Sequence, residues 1–318
     1  MLQDLLFSAN IVLPIFLLIV IGYFLTKLKL WDEHFLKVAN NVCFKCFLPV
    51  LLFSNVADAN IFEVFDGKLI LFACVSVALI AFTLFLIVPR FVKDPKRIGV
   101  MIQGTFRSNF LLFGIPLGQS IGGAEGTILA AVLAAFYVPV LNMLATIVLY
   151  VYSDAENKDL KSALIGIATN PLVIGGLSGL VFSVIRNMVG FEMPTILSTT
   201  LTNIKSIATP FAFLILGGDL KIDNLLKNIK YSIFAVVGRT VVIPVIMLTI
   251  ASMFGFGKLQ IGILLAIYAT PNAVSSYAMA RNYEADYELA GEIVTLSTIV
   301  SVVTMFIFIT VCKNIGLI

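Results

Sequence analysis

Apolar residues run in blocks of about twenty along the whole chain, separated by short polar stretches. The blocks fall near 8–27, 35–57, 67–89, 98–121, 124–151, 163–186, 195–217, 230–253, 258–281 and 287–311. Each is long enough for a helix at 1.5 Å per residue to cross a hydrocarbon core roughly 30 Å thick. The pattern predicts ten membrane-spanning helices and leaves no stretch for a soluble domain. The first block lacks a basic lead-in and a small-residue cleavage site, so it is expected to stay as a span.

Charge placement gives the spans a direction. Lys27, Lys29, Lys37, Arg90, Lys93, Lys96, Arg97, Lys158, Lys161, Lys221, Lys227, Lys230 and Arg281 fall at odd-numbered loops and adjoining span ends. Only Lys68, Arg186, Lys258 and Lys313 fall at the even loops and the C-terminus. Lysine and arginine concentrate on cytoplasmic loops. The odd loops are therefore expected inside and both termini outside, in a multi-pass protein of the cell (inner) membrane.

A shift of 161 pairs Pro49 with Pro210, Asp58 with Asp219 and Glu125 with Asp286 without a gap. Five spans is an odd number, so two such halves enter the membrane from opposite sides. The expected organisation is a first repeat at 1–151, a short cytoplasmic linker at 152–162 and a second repeat at 163–318. Inverted repeats of this kind present one site alternately to each face, at interrupted helices near mid-membrane.

The fourth and ninth spans carry the interruptions. The fourth holds Arg107, Ser108, Asn109, Gly114 and Pro116; the ninth holds Thr270, Pro271, Asn272, Ser275 and Ser276. Proline removes a backbone donor, and the freed backbone is tolerable in a membrane only when buried or lining a wet cavity. Under the 161 shift Pro271 falls on Phe110, so the two interruptions correspond as regions and not residue for residue.

Composition agrees with the pattern: 60% of the 318 residues are hydrophobic, 12% are charged, and mean hydropathy is +1.05. A soluble domain carries about 25% charged residues. The net charge of +3 is a property of the loops and does not point to nucleic acid. Cys43 and Cys46 form a lone C-x-x-C with no second pair or nearby histidine, so neither a metal nor a cofactor is expected. An intramembrane protease would need facing aspartates, a Ser/His pair or zinc ligands. The single histidine, His34, sits at a loop beside Asp32 and Glu33.

Lys45, Arg107, Lys205 and Arg239 lie well inside spans, against Glu292 as the one comparable acid. Buried charge is costly unless paired. Arg239 is expected to pair with Glu292 or with lipid phosphate. The cationic surplus favours an anionic substrate, and helix N-termini at the interruptions add positive dipole ends. Lys45 and Lys205, near-equivalent in the two halves, can support the crossing electrostatically without touching substrate.

Asn109 to Leu117 (Asn-Phe-Leu-Leu-Phe-Gly-Ile-Pro-Leu) resembles the fourth helix of the auxin efflux carrier family. Ala269-Thr-Pro271 followed by Tyr277 to Tyr283, and Asn41 to Lys45 followed by Leu48-Pro49, are similar to that family's ninth and second helices. The resemblance covers essentially the whole chain. It implies an all-α fold like those of sodium/proton antiporters and bile-acid symporters: two inverted five-helix repeats with broken helices 4 and 9 crossing. It further implies a scaffold, the surface through which any homodimer would form, and a transport domain moving against it as an elevator. Asn109, and the backbone near Pro116 and Pro271, would face a small organic anion such as malate, malonate or an indole acid. The short central linker places the chain with the bacterial branch. Asn41 stands where the plant exporters have an acid four residues before the lysine. That departure removes the obvious proton relay, leaves Glu292 as the fallback, and favours uniport or exchange. The rival reading is an anion channel or a membrane receptor on the same fold.

Overall fold

A computed structural model describes residues 2–58, 64–152, 165, 169–220, 222 and 227–318. Most of the expected linker, with Lys158 and Lys161, and also Lys221, lie outside the described residues. Among the described residues every regular element is helical. In order these are α1 (Leu2–Lys27), α2 (Glu33–Val42), α3 (Leu48–Ala57), α4 (Gly67–Phe91), α5 (Pro95–Phe106), α6 (Phe110–Tyr152) and α7 (Pro171–Val189). They continue as α8 (Thr195–Gly218), α9 (Ile229–Val237), α10 (Ile243–Met253), α11 (Lys258–Ala269), α12 (Ser275–Asn282) and α13 (Tyr287–Asn314). Wide π turns at Cys43–Phe47 and Gly238–Val242 join α2 to α3 and α9 to α10 into two continuous spans. Among the described residues eight helices are long and apolar enough to cross a membrane.

The helix starts follow from local chemistry. An Asp or Asn side chain accepts the backbone N–H of the first turn at Asp32 (Phe35 N, 2.7 Å), Asp66 (Leu69 N, 2.9 Å), Asp94 (Lys96 N, 3.0 Å), Asn170 (Leu172 N, 2.9 Å) and Asp286 (Leu289 N, 3.0 Å). These caps satisfy donors that a helix end leaves unpaired. Pro95 and Pro171 follow two of them, where a missing N–H costs nothing.

The 43-residue α6 would extend about 65 Å if straight. Gly123, at φ 58° and ψ −133°, folds it back into a first arm at 110–122, about 20 Å long, and a membrane-length second arm at 124–152. Small residues set the closest helix contacts. A Cβ on Gly22 would sit 1.9 Å from the Leu214 carbonyl oxygen, and one on Gly217 would sit 1.8 Å from that of Ile19. Helices α1 and α8 thus cross backbone on backbone. Helix α3 packs on α7, α13 on α1 and α9, and α11 on α6. The two 12-residue helices α5 and α11 are the most enclosed elements: Ile98–Phe106 and Ile261–Ala269 are buried throughout. Each is about 18 Å long, little more than half a hydrocarbon core, so each ends inside it.

Candidate functional site

The ends of α5 and α11 meet. The chain leaves helical geometry at Arg107 and Thr270, both extended (ψ 112° and 157°). There Ser108 and Asn272 form an antiparallel bridge, and the Asn109 N–H donates to the Pro271 carbonyl at 2.9 Å. Two strands of two or three residues thus hydrogen-bond to each other where each has left its helix. Helices α6 and α12 resume beyond them, and the Asn109 carbonyl accepts from Leu112 and Phe113 at the start of α6.

Both helix C-termini at this crossing are capped by side chains. The Arg239 guanidinium, 1% exposed, donates through Nε to the Thr270 carbonyl at 2.9 Å and through Nη1 to that of Phe106 at 3.1 Å. Its Nη2 reaches the Ile267 carbonyl. One cation therefore serves the ends of α5 and α11 together. Asn272 Nδ2 adds contacts to the carbonyls of Gln103 (3.3 Å), Gly104 (2.9 Å) and Arg107 (3.2 Å), while its backbone N–H donates to Ser297 Oγ at 3.0 Å. The negative ends of both half-helix dipoles are neutralised from within the protein.

The expected pairing of Arg239 with Glu292 or lipid phosphate is corrected by this geometry. Glu292 instead accepts the Asn228 backbone N–H, at 3.3 Å and 3.0 Å, at the start of α9. The guanidinium lies within 3.1 Å of helix-end carbonyls that would otherwise be buried without a donor, and leaving those unsatisfied is costly. Lys227 beside it pairs with Glu288 at 2.5 Å, and that contact raises the lysine's pKa.

Arg107 is buried (4% exposed) and among the described residues meets neutral groups: Asn142 Oδ1 at 2.7 Å, Ser275 Oγ at 3.0 Å and Met279 Sδ. Around it are buried polar atoms without hydrogen-bond partners: Asn109 Nδ2, Gln103 Oε1, Asn272 Oδ1 and Ser276 Oγ. Buried polar groups are ordinarily satisfied, so a cluster of orphans at one crossing marks a place where a ligand or water completes the set. Among the described residues no group of three or more His, Cys, Asp or Glu could hold a metal ion.

The residues expected at the site divide into three groups. Arg107, Asn109, Thr270, Pro271, Asn272 and Ser275 come together at the crossing. Gly114 and Pro116 lie inside α6, one and two turns beyond the break, which falls instead at Arg107–Asn109. Asn41, Lys45 and Lys205 lie elsewhere: Asn41 and Lys45 are exposed on the α2 span, and Lys205 is 3.9 Å from Asp58 with its side chain 29% exposed. These two lysines are therefore not buried cations. Gln103, Asn142 and Arg239's carbonyl contacts are not among the expected site features, whereas Ser276 is one of the polar residues expected in the ninth-span interruption. The signal available for the first two was an amide inside an otherwise apolar run.

Comparison with known proteins bears on the whole chain. Residues 7–309 match the family described as membrane transport protein. A protein of Methanocaldococcus jannaschii named uncharacterized transporter is 24% identical over 307 residues, spanning 93% of this chain and 96% of that one. Another uncharacterized transporter, from Methanothermobacter thermautotrophicus, is 21% identical over 301 residues, spanning 94% and 96%.

Proposed function

The chain belongs to the membrane transport protein family, that of the auxin efflux carriers, and from that premise we propose that this membrane transporter carries a small organic anion. The observation that carries the proposal is the electrostatic asymmetry of the crossing. Both half-helix C-termini are capped, by Arg239 and Asn272. The N-terminal ends of α6 and α12, the Arg107 guanidinium and the orphan Asn109 amide are left without a carboxylate partner. A carboxylate is the ligand whose charge and acceptor oxygens complete that set. Malate- or malonate-type acids and indole acids share this group.

The proposed architecture is ten spans in two inverted repeats. Element lengths support it. Helix α4 and the α9–α10 span are both 25 residues and start 162 apart, at 67 and 229. Helices α5 and α11 are both 12 residues and start 163 apart, at 95 and 258. A Cβ on Gly179 would lie 2.7 Å from the Phe53 carbonyl, just as one on Gly22 meets that of Leu214, and Phe53 and Leu214 are 161 apart. In this reading α1, α2–α3, α7 and α8 are the scaffold, the remaining helices move past it as an elevator, and the lysine-rich loops are cytoplasmic. A screen of labelled mono- and dicarboxylates against organic cations, in vesicles holding the purified protein, tests the substrate class. Uptake of a cation and of no acid would overturn it.

A further inference from the structure

The first half of the α2–α3 span has three faces. Leu36, Ala39 and Cys43 are buried and look toward α8. Phe35, Val38, Val42 and Cys46 recur three and four residues apart on an exposed apolar face. His34, Lys37, Asn41 and Lys45 recur with the same spacing on an exposed polar face. Residues at such spacing share one side of a helix. Lys45 lies 12 residues past the helix start at Glu33, about 18 Å along the axis and too deep for a lipid headgroup. Of the two exposed faces the apolar one suits lipid, and the polar one needs water.

Helix α8 repeats the arrangement with hydroxyls in place of the lysine row, its one nearby cation being Lys205 beside Asp58. Ser198, Thr202 and Ser206 form an exposed hydroxyl row, at 161 from Lys37, Asn41 and Lys45. The two spans run antiparallel: Leu36 abuts Gly218, Cys43 Sγ lies 3.8 Å from the Ala208 carbonyl, and Lys205 lies 3.9 Å from Asp58. The lysine row and the hydroxyl row therefore occupy opposite halves of the membrane. The crossing sits toward the lysine half. Phe113, one turn past the break, meets Phe213 edge-on at 5.0 Å, only five residues from the lysine-side end of α8. Phe16 of α1 packs on the same ring at 6.2 Å.

We propose that these two polar faces are the wet half-channels to the crossing, and that the lysine row makes the one on the lysine-rich side an antechamber that concentrates anions. This rests on the anion reading only for what passes through; the water-filled, positively biased face is a property of the scaffold itself. A cleft lined with one sign of charge raises the local concentration of the opposite ion. The hydroxyl row on the other side has one neighbouring cation, Lys205, which lies 3.9 Å from Asp58, so its net bias is smaller and the path is electrostatically asymmetric.

The test uses the full-length protein in oriented vesicles, with a cysteine-free background (Cys43→Ala, Cys46→Ser, Cys74→Ala and Cys312→Ala) and single cysteines at Asn41→Cys, Val42→Cys and Thr202→Cys. Each is reacted with two membrane-impermeant methanethiosulfonates, one a sulfonate and one a trimethylammonium. Positions 41 and 202 should react, from opposite faces, and position 42 should not. At low salt the anion-to-cation rate ratio should be about tenfold higher at 41 than at 202. It should fall toward the value at 202 in Lys37→Gln/Lys45→Gln and in high salt. Equal ratios at 41 and 202, an unreactive position 41, or a position 42 as reactive as 41 would each overturn the proposal. No transported substrate enters these rates, so a failed uptake screen would remove the anion reading and leave this result to stand or fall alone.

Discussion

Replacing Arg239 with methionine removes a cation while keeping most of the side-chain volume. In the protein that guanidinium, 1% exposed, donates to the carbonyls of Thr270 at 2.9 Å, Phe106 at 3.1 Å and Ile267. Each carbonyl left buried without a donor costs about 1–3 kcal/mol, so three give a gross loss of roughly 3–9 kcal/mol. Set against this is the desolvation penalty of the guanidinium, which the variant no longer carries. The two together leave a net loss of about 3–5 kcal/mol, toward the lower end of that gross range. For a chain of this size that lowers the melting temperature by roughly 4–8 °C. Arg239→Lys keeps the charge but not the fork that spans both helix ends, so it should recover about half of the loss. Thermal unfolding of the purified variants in detergent measures both. A methionine variant melting within about 2 °C of wild type, or a lysine variant no better than methionine, would refute the clamp.

Three further outcomes follow from the same geometry. Arg107→Gln and Asn109→Ala should each weaken carboxylate uptake about 10–100-fold, the equivalent of one charge-assisted hydrogen bond, with the melting temperature nearly unchanged; concentration-dependent uptake in vesicles checks this. Gly217→Ala should destabilise the protein by about 1–3 kcal/mol, because its Cβ would sit 1.8 Å from the Ile19 carbonyl and force α1 and α8 apart; detergent unfolding reads this directly. Cysteines placed at positions 3 and 316 should react with an impermeant label from outside intact cells, since the lysine-poor side is external; labelling only after permeabilisation would reverse the orientation.

Eight membrane-length helices among the described residues were legible because a run of twenty apolar residues has few other uses, and the helix starts because Asp and Asn caps are local. The location of the breaks was only half legible. Pro116 draws attention, but a helix tolerates it by losing one hydrogen bond, and its own carbonyl accepts from Ser120 Oγ at 2.9 Å. The real interruption at Arg107–Asn109 contains no proline; it exists because Pro271 and Asn272, far away in the chain, supply backbone partners. Arg239 was misassigned for a related reason. A residue's partner can be guessed from a carboxylate in the sequence, whereas a helix-end carbonyl leaves no mark there. Lys45 and Lys205 were placed by depth along the span, and depth does not tell which way a side chain faces. The cationic surplus behind the anion reading consequently contracts to Arg107 and the helix N-termini, since Arg239 is occupied and the two lysines are exposed or paired.

The central claim is that the crossing carries a small organic anion by alternating access. Counterflow tests it most directly: vesicles containing the protein and loaded with an unlabelled carboxylate should transiently accumulate the labelled acid above equilibrium, and Arg107→Gln should abolish that overshoot. Equilibration without overshoot for every acid tried would contradict the account, because a channel equilibrates and only a carrier exchanges.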